Sequence, residues 1–270
     1  MPDPQQRDEE AEAAPRGHAR EPGALNDPPA AGPVLEHLAR VDSTNAEARR
    51  RVETGRARPP FALLAHSQSA ARGRRGHSWT SLPGRSLALT LCLPDPMLAR
   101  PARAALLVAL AVARGCEAWG SSPLAIKWPN DLMRGERKAG GILIETLAAP
   151  DGRPSLAIGV GLNLALEPGE LSQLSSPPAG DLGLPCDEAA RLGLGRALVA
   201  QIQDVLARSD DPALSAEYRR RSWLTGRRVR LHTPSGPVEG VLARVSLDGD
   251  LALEGGPLLR GEHVSLAALL

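Results

Sequence analysis

The pattern of apolar residues changes near Leu224, and this change constrains the fold more than any other feature of the sequence. Before it, apolar runs of strand length alternate irregularly with helical patterns, which favours an α+β domain over a regular βα repeat. After it, short alternating strands are separated by the turn sequences PSG, DGD and EGG, as in small β-barrels. We therefore predict an α+β domain over residues 33–223 and a barrel over residues 224–270.

The first domain shows both strand and helix periods. Short apolar or alternating runs predict strands at 34–41, 61–67, 86–94, 124–128, 138–149 and 155–166. Helix formers and capping signals predict helices at 42–55, 101–120, 187–208 and 212–222. Residues 1–32 are dense in Pro, Ala, Gly and charge. They contain too little apolar material to offset the entropy of ordering, so we predict a disordered tail.

The composition argues against several classes of function. The formal net charge is +1, so no overall field attracts the chain to nucleic acid or to membranes. Three widely spaced cysteines, Cys92, Cys116 and Cys186, have neither zinc-ligand nor disulfide spacing and are expected to be reduced core residues. No apolar run has the length of a membrane span, and the N-terminus lacks a signal-peptide pattern. We expect a cytoplasmic protein.

Both lysines of the chain, Lys127 and Lys138, lie in the stretch KWPNDLMRGERKAGG, whereas every other basic residue is arginine. An ammonium group is a compact point charge, and a planar guanidinium group needs more room. We interpret Lys138 as part of a site built around crowded oxygen atoms. Lys127 is compatible with such a role, or with an ammonium group that extends from a strand end to solvent.

The loop ARGRRGHSW, residues 71–79, combines glycines and arginines and ends in a tryptophan. Glycine lets backbone N–H groups approach an anion, arginine binds phosphate or carboxylate with two donors, and tryptophan can stack on a base. The loop therefore suits a nucleotide phosphate, but a flexible basic surface loop or an RNA contact explains the same residues. It lacks the GK[ST] ending of a P-loop.

Short polar residues at two further places are candidates for contacting a ligand. In DSTN, the residues Ser43, Thr44 and Asn45 stand at a predicted helix start. Helix capping accounts for one of them, and the others can line a pocket. In KWPND, Asn130 and Asp131 leave a buried strand, where they form a turn or lie near a metal or an incoming amine. No His/Cys cluster has metal-ligand spacing, so we predict no protein metal site.

The order of these motifs is more specific than any one of them. Ser-Thr-Asn is followed by a Gln and the Arg/Gly loop ending in Trp, then by KWPND, KAGGILIE, GVGLN and a small barrel. From about Val41 to the C-terminus, this order resembles the biotin protein ligases. The resemblance implies a class II aminoacyl-tRNA synthetase-like α+β catalytic domain followed by an SH3-like barrel. It also implies a reaction in which biotin and Mg·ATP give biotinyl-5′-AMP. The biotinyl group then passes to one lysine of a biotin carboxyl carrier protein.

The resemblance assigns roles to individual residues. Catalytic roles are implied for Lys138, Asp131 and Arg74, and Lys138 matches the family's lysine that contacts the biotin carboxylate and the α-phosphate. The residues implied for biotin binding are Ser43, Thr44, Asn45, Gln68, Arg72, Gly73, Arg74, Lys138 and Gly141. Those implied for the nucleotide site are Trp79, which would lie against the adenine, and Lys127, Asn130 and Asn163.

Two loop positions depart from the family pattern, which usually begins Gly-Arg-Gly and ends Gly-Arg. Ala71 replaces the first glycine and His77 the last arginine, which puts the backbone at the loop's start and the strength of loop closure in question. The alternative functions are a lipoate-type ligase and a nucleic-acid-binding module that uses the loop and the barrel. The tail has no helix-turn-helix pattern, so no DNA binding is expected. The sequence leaves open whether the chain forms a homodimer.

Overall fold

The computed structural model describes residues 32–94, 100–171, 174 and 178–270. Apart from Gly32, the tail predicted over residues 1–32 lies outside the described residues. Within the described ranges, no helix is both long enough and apolar enough to cross a membrane.

Seven strands form one mixed sheet. They are β1 (Val34–Val41), β2 (Phe61–Gln68), β3 (Ser86–Pro94), β4 (Ala125–Lys127), β5 (Asp131–Arg134), β6 (Arg137–Ala148) and β7 (Pro154–Asn163). Their order across the sheet is β1-β2-β3-β7-β6-β5-β4. β1 and β2 run parallel, and every other neighbouring pair is antiparallel. The six strands predicted for this domain are confirmed, with ends that shift by a few residues.

Helices cover both faces of this sheet. They are α1 (Thr44–Glu53), α2 (Pro101–Ala118), α3 (Pro168–Leu171), α4 (Glu188–Ala207) and α5 (Pro212–Arg221). Successive strand residues point to opposite faces. Leu63 packs with α1, whereas its neighbours Ala62 and Leu64 belong to the core formed with α2 and α4. Helix α2 is apolar around most of its circumference because it lies between the sheet and α4.

The strand β5 is not among the predicted elements. KWPND makes the expected turn, in which the Asn130 N–H donates to the Lys127 carbonyl at 3.2 Å. The chain then returns as β5, which pairs with both β4 and β6, and Leu132 and Met133 are fully buried. Four residues after a proline turn are too few to show a period, so the sequence pattern did not reveal this strand.

Five further strands form an antiparallel sheet near the C-terminus. They are β8 (Arg228–Thr233), β9 (Gly236–Val245), β10 (Leu251–Leu253), β11 (Leu258–Leu259) and β12 (Ser265–Leu269). Their order is β11-β10-β9-β8-β12. The structure therefore confirms an α+β fold with a C-terminal β domain. The SH3-like class of that domain and the boundary at residue 224 stay predictions.

The C-terminal sheet shares its core with the rest of the chain. Its buried residues Val229 and Leu251 belong to the same apolar cluster as α2 and α4. At the start of α2, the buried side chain of Arg103 donates to Asp248 Oδ1 at 2.9 Å and to the Ser209 carbonyl at 2.6 Å. Charge pairing and apolar packing thus hold the C-terminal sheet against the first domain.

Candidate functional site

A cavity of about 860 Å³ is lined by the start of α1, the loop 71–79, the start of α2, strands of the large sheet and part of the C-terminal domain. Every residue with an implied ligand or catalytic role lines it: Ser43, Thr44, Asn45, Gln68, Arg72, Gly73, Arg74, Trp79, Lys127, Asn130, Asp131, Lys138, Gly141 and Asn163. Residues that are more than a hundred positions apart in the sequence therefore meet in one place. The ligand role of each one remains a prediction.

Glycine forms the floor of this cavity. Gly159 and Gly161 stand two residues apart on β7, and Gly141 of β6 pairs with Gly161, so all three share one face of the sheet. A Cβ atom on Gly159 would lie 2.5 Å from Asn45 Oδ1, and one on Gly161 would lie 2.9 Å from the Trp79 ring. The site needs glycine here because these side chains pack directly on the strand backbone.

A polar pocket lies where α1 begins. The Thr44 N–H donates to Gln68 Oε1 at 2.8 Å, and the Thr44 hydroxyl donates to the same oxygen at 3.2 Å. The Thr90 hydroxyl lies 2.6 Å from Asn45 Oδ1 and 2.8 Å from the Thr44 hydroxyl. Ser43 is the N-cap of α1. Capping therefore uses one member of the DSTN motif and leaves Thr44 and Asn45 for the pocket.

Two residues that shape this pocket, Thr90 and Glu145, were not predicted. Thr90 is fully buried in a strand of mostly apolar residues, and no sequence signal marks it as part of a site. Glu145 ends the KAGGILIE motif. Its carboxylate accepts hydrogen bonds from Asn45 Nδ2 at 2.8 Å and from Arg72 Nη2 at 3.1 Å, contacts that only the folded chain brings together.

The loop 71–79 closes on itself through backbone hydrogen bonds. The Gly73 N–H donates to the His77 carbonyl at 2.7 Å, and the Trp79 N–H donates to the Ala71 carbonyl at 3.0 Å. Among the described non-glycine residues, only Arg75 has a positive φ, of 54°. Ala71 therefore does not adopt the left-handed backbone that favours glycine, and the loop tolerates alanine at this position. The His77 side chain is exposed.

Lys138 lies at the centre of the cavity's charged groups. Its Nζ is 2.6 Å from Asp131 Oδ1 and 5.6 Å from the centroid of the Trp79 ring, within the range of a cation–π contact. Arg74 is nearby, and desolvation together with Arg75 lowers the pKa of Arg74, whereas Asp131 acts in the opposite direction. An arginine pKa starts high enough for the guanidinium to stay charged. The cavity thus presents two cations around one carboxylate.

Lys127 is a half-buried cation on the same wall. Burial lowers its pKa most, the charges of Lys138 and Arg227 add to this effect, and Asp131 opposes it. The Nζ of Lys127 is 5.3 Å from the ring centroid of Trp223, and the Arg227 guanidinium carbon lies 3.7 Å from that centroid. The structure therefore favours a packed role for Lys127 over an ammonium group that extends freely into solvent.

The two asparagines of the implied nucleotide site differ in what they leave available. Asn130 Nδ2 donates to the Ile142 carbonyl at 2.8 Å, which ties the KWPND turn to β6. Asn163 Nδ2 donates to the Gly180 carbonyl at 2.9 Å. Within the described part of the chain, Asn163 Oδ1 and Trp79 Nε1 are buried and have no hydrogen-bond partner. One acceptor and one donor on cavity-lining residues are therefore left without a protein partner.

The C-terminal domain completes part of the cavity wall. The residues it contributes are Gly261, Glu262, Val264, Ser265 and Leu266. Sequence reasoning placed no ligand motif in the barrel because these residues form no recognisable pattern. Their position shows that the second sheet bounds the site as well as the core.

Comparison with known proteins places this geometry in a family. The family model described as the biotin/lipoate A/B protein ligase family matches residues 37–164. The chain is 32% identical over 226 residues to a biotin–[acetyl-CoA-carboxylase] ligase of Paracoccus denitrificans, an alignment that covers 81% of this chain and 93% of that protein. It is also 32% identical over 232 residues to the enzyme of the same name from Mycobacterium tuberculosis, with 82% and 84% covered.

Solved structures share the fold. The biotin protein ligase of Aquifex aeolicus in complex with biotin and ATP matches with a TM-score of 0.69 at 24% identity, covering 87% of this chain and 98% of that one. The biotin protein ligase of Leishmania major in complex with biotinyl-5-AMP matches with a TM-score of 0.57 at 22% identity, covering 85% and 98%. At these identities the likeness supports the architecture, and the relatives' sequences support the family.

Proposed function

The chain belongs to the biotin protein ligase family, and on that premise we propose that it activates biotin with ATP and transfers it to a carrier protein. The observation that carries the proposal is the contact between Lys138 Nζ and Asp131 Oδ1, at 2.6 Å, inside a cavity lined by both implied ligand sites. The buried polar pocket at Thr44 and Asn45 suits the polar end of a small ligand. Asn163 Oδ1 and Trp79 Nε1, which have no partner among the described residues, belong to side chains of the implied nucleotide site.

In the first step, an oxygen of the biotin carboxylate attacks the α-phosphorus of ATP. The new O–P bond gives biotinyl-5′-AMP, and the bond to the β-phosphate breaks to release pyrophosphate. Attack brings a carboxylate against phosphate oxygens that already carry negative charge, so fixed positive charge and positioning do most of the work. Lys138 and Arg74 supply that charge, and Asp131 holds Lys138 in place.

In the second step, the amine of a carrier lysine attacks the carbonyl carbon of the adenylate. An amide bond forms, the bond to the phosphate oxygen breaks, and AMP leaves. We propose that Asp131 accepts the proton that the incoming amine loses when the amide forms. The loop 71–79 excludes water from the adenylate, which would otherwise be hydrolysed.

Mg²⁺ fits this site as a partner of ATP. Among the described residues, no group of three or more His, Cys, Asp and Glu side chains could hold a metal ion. Mg²⁺ at nucleotide sites is commonly bound by substrate phosphates with one or two carboxylates, and Asp131 is available for that role. Bound there, Mg²⁺ would neutralise charge on the phosphates.

We also propose a biotin carboxyl carrier protein domain as the acceptor, because the relatives' names specify a carboxylase. A location in the cytoplasm and assembly as a homodimer stay predictions that a fractionation and a sedimentation experiment would test.

The proposal is tested by adding biotin and ATP labelled at the α-phosphate to the purified chain. We expect labelled biotinyl-AMP and release of pyrophosphate, and then labelled AMP when a carrier domain is added. Lipoate in place of biotin should give little adenylate. Preferential formation of lipoyl-AMP would favour the lipoate-type alternative, and no adenylate with either acid would contradict the proposal.

A further inference from the structure

Glu145 joins two parts of the cavity wall, the start of α1 and the loop 71–79. Its Oε2 accepts from Asn45 Nδ2 at 2.8 Å and from Arg72 Nη2 at 3.1 Å. Its Oε1 accepts from Arg49 Nη2 at 3.4 Å. The side chain of Glu145 is 19% exposed, so these charge-assisted contacts are only partly screened by water. One oxygen of one carboxylate thus contacts both the start of α1 and the Arg/Gly loop.

Glu145 fixes the orientation of the Asn45 amide. A carboxylate only accepts hydrogen bonds, so Asn45 must turn its NH₂ group toward Glu145. The Leu143 carbonyl accepts a second, longer hydrogen bond from the same NH₂ group, at 3.4 Å. This places Asn45 Oδ1 against the Thr90 hydroxyl, at 2.6 Å, and over the bare backbone of Gly159. Without the carboxylate, the longer hydrogen bond to the Leu143 carbonyl would hold the NH₂ group in this direction more weakly, and the amide could turn over more easily.

Glu145 also holds the loop. Within the described part of the chain, Arg72 is the loop arginine whose side chain has an ion pair, and that partner is Glu145. The side chains of Arg74 and Arg75 form no hydrogen bond or ion pair with described residues. Arg72 is 45% exposed, and Glu145 has a second cation in Arg49, so the contact is accessible and exchangeable. An arriving carboxylate or phosphate can compete with Glu145 for Arg72.

From these contacts we propose that Glu145 is a positioning residue that couples the biotin pocket to the closure of the loop 71–79. Without ligand it keeps the Asn45 amide oriented and the loop attached through Arg72. When the acid group of the ligand enters, Arg72 breaks its ion pair with Glu145 and binds that group instead. The hydrogen bond from Asn45 to Glu145 is kept. This inference rests on the proposed function, because it assigns the competing anion to the biotin carboxylate or to the phosphate that joins it.

The test uses the full chain with Glu145→Gln, Arg72→Gln and the double variant. Glu36→Gln is the matched control, because Glu36 also pairs with an arginine of α1, Arg51, but has no hydrogen bond or ion pair with Asn45 or the loop 71–79 among the described residues. Thermal unfolding first confirms that each variant folds. The rate of tryptic cleavage after Arg74 and Arg75 then reports on the loop without any catalysis, and calorimetry gives the biotin Kd.

Glu145→Gln should raise the loop cleavage rate about two- to fivefold, the range expected for losing one partly exposed ion pair. It should also weaken biotin binding about tenfold or more, because a charged hydrogen-bond acceptor is lost. Arg72→Gln should raise cleavage by a similar factor, and the double variant should be cleaved no faster than either single variant. Glu36→Gln should match the wild type in both measurements.

Wild-type cleavage and biotin affinity in Glu145→Gln would overturn the coupling. So would additive effects on cleavage in the double variant, since they would mean that Arg72 and Glu145 act independently. If even the wild-type chain failed to bind biotin, the proposed function would fall. The cleavage rates measured without biotin would still decide whether Glu145 holds the loop.

Discussion

Lys138 is held by contacts with a carboxylate and an aromatic ring of the site. Its Nζ lies between Asp131 Oδ1, at 2.6 Å, and the face of Trp79. A guanidinium group is wider and planar. It therefore cannot replace an ammonium group as a single point charge between an oxygen of the biotin carboxylate and an oxygen of the α-phosphate. The role proposed for Lys138 would explain why a chain that uses arginine almost everywhere keeps lysine at this position.

Lys138→Arg should therefore slow the formation of biotinyl-AMP on the order of 10²–10³-fold, the usual cost of one misplaced charge donor. Lys127→Arg should be milder, because Lys127 packs near the ring of Trp223 and a guanidinium group can stack on an aromatic face. Single-turnover adenylate formation, measured on variants that unfold like the wild type, checks both changes. Near-normal activity in Lys138→Arg would remove Lys138 from the centre of the mechanism.

Sequence could single out residues such as Lys138 and Gly73 because their motifs are distinctive, and these residues do line one cavity. Thr90 could not be singled out, because a hydroxyl in a mostly apolar strand predicts nothing until Asn45 is known to lie above it. Glu145 stood in a predicted motif without a role, because its partners Asn45 and Arg72 are 100 and 73 positions away. Sequence therefore identifies residues that stand in a short motif, but not the contacts between residues that are distant in the sequence.

At the scale of elements, β6 and β7 provide a floor without side chains on one face of the sheet. The strand patterns predicted β6 and β7, but a run such as GVGLN does not say which glycine is essential. The structure distinguishes the glycines, because the distance from an added Cβ atom to the nearest side chain differs from one glycine to the next. A Cβ atom on Gly161 would lie 2.9 Å from Trp79, whereas one on Gly141 would have its nearest contact at 3.6 Å, with Lys138.

Gly161→Ala should lower the free energy of unfolding by about 1–3 kcal/mol, the cost of overpacking a filled site. The same change should displace Trp79 and raise the KM for ATP. Gly141→Ala serves as the comparison for stability, and its free energy of unfolding should change by less than about 1 kcal/mol, because its new methyl group makes an ordinary contact. Urea unfolding measures both. Equal destabilisation by the two alanines would contradict the assignment of Trp79 to the Gly161 surface.

At the scale of the whole molecule, the C-terminal sheet forms part of both the core and the site. Sequence periodicity predicted its strands but not their attachment, because apolar alternation does not identify the surface that a face will cover. Arg103 reaches Asp248, and the Trp128 indole nitrogen would lie 3.6 Å from a Cβ atom on Gly249. The cavity wall at 261–266 therefore depends on this docking.

Removal of residues 224–270 should prevent cooperative folding of the remainder. The deletion takes Val229, Leu231, Leu242 and Leu251 out of the shared core and exposes the apolar surface that they cover. It also removes Asp248, the nearer of the two carboxylates paired with Arg103. Deletion of residues 2–32 is the matched control. Their composition predicts no packed structure, so that variant should keep its melting transition and its adenylate formation. Circular dichroism melting and limited proteolysis compare the two truncations.

If the chain lacking 224–270 melted cooperatively near the temperature of the intact protein, the C-terminal sheet would be an independent domain. Its effect on adenylate formation and on transfer could then be measured separately.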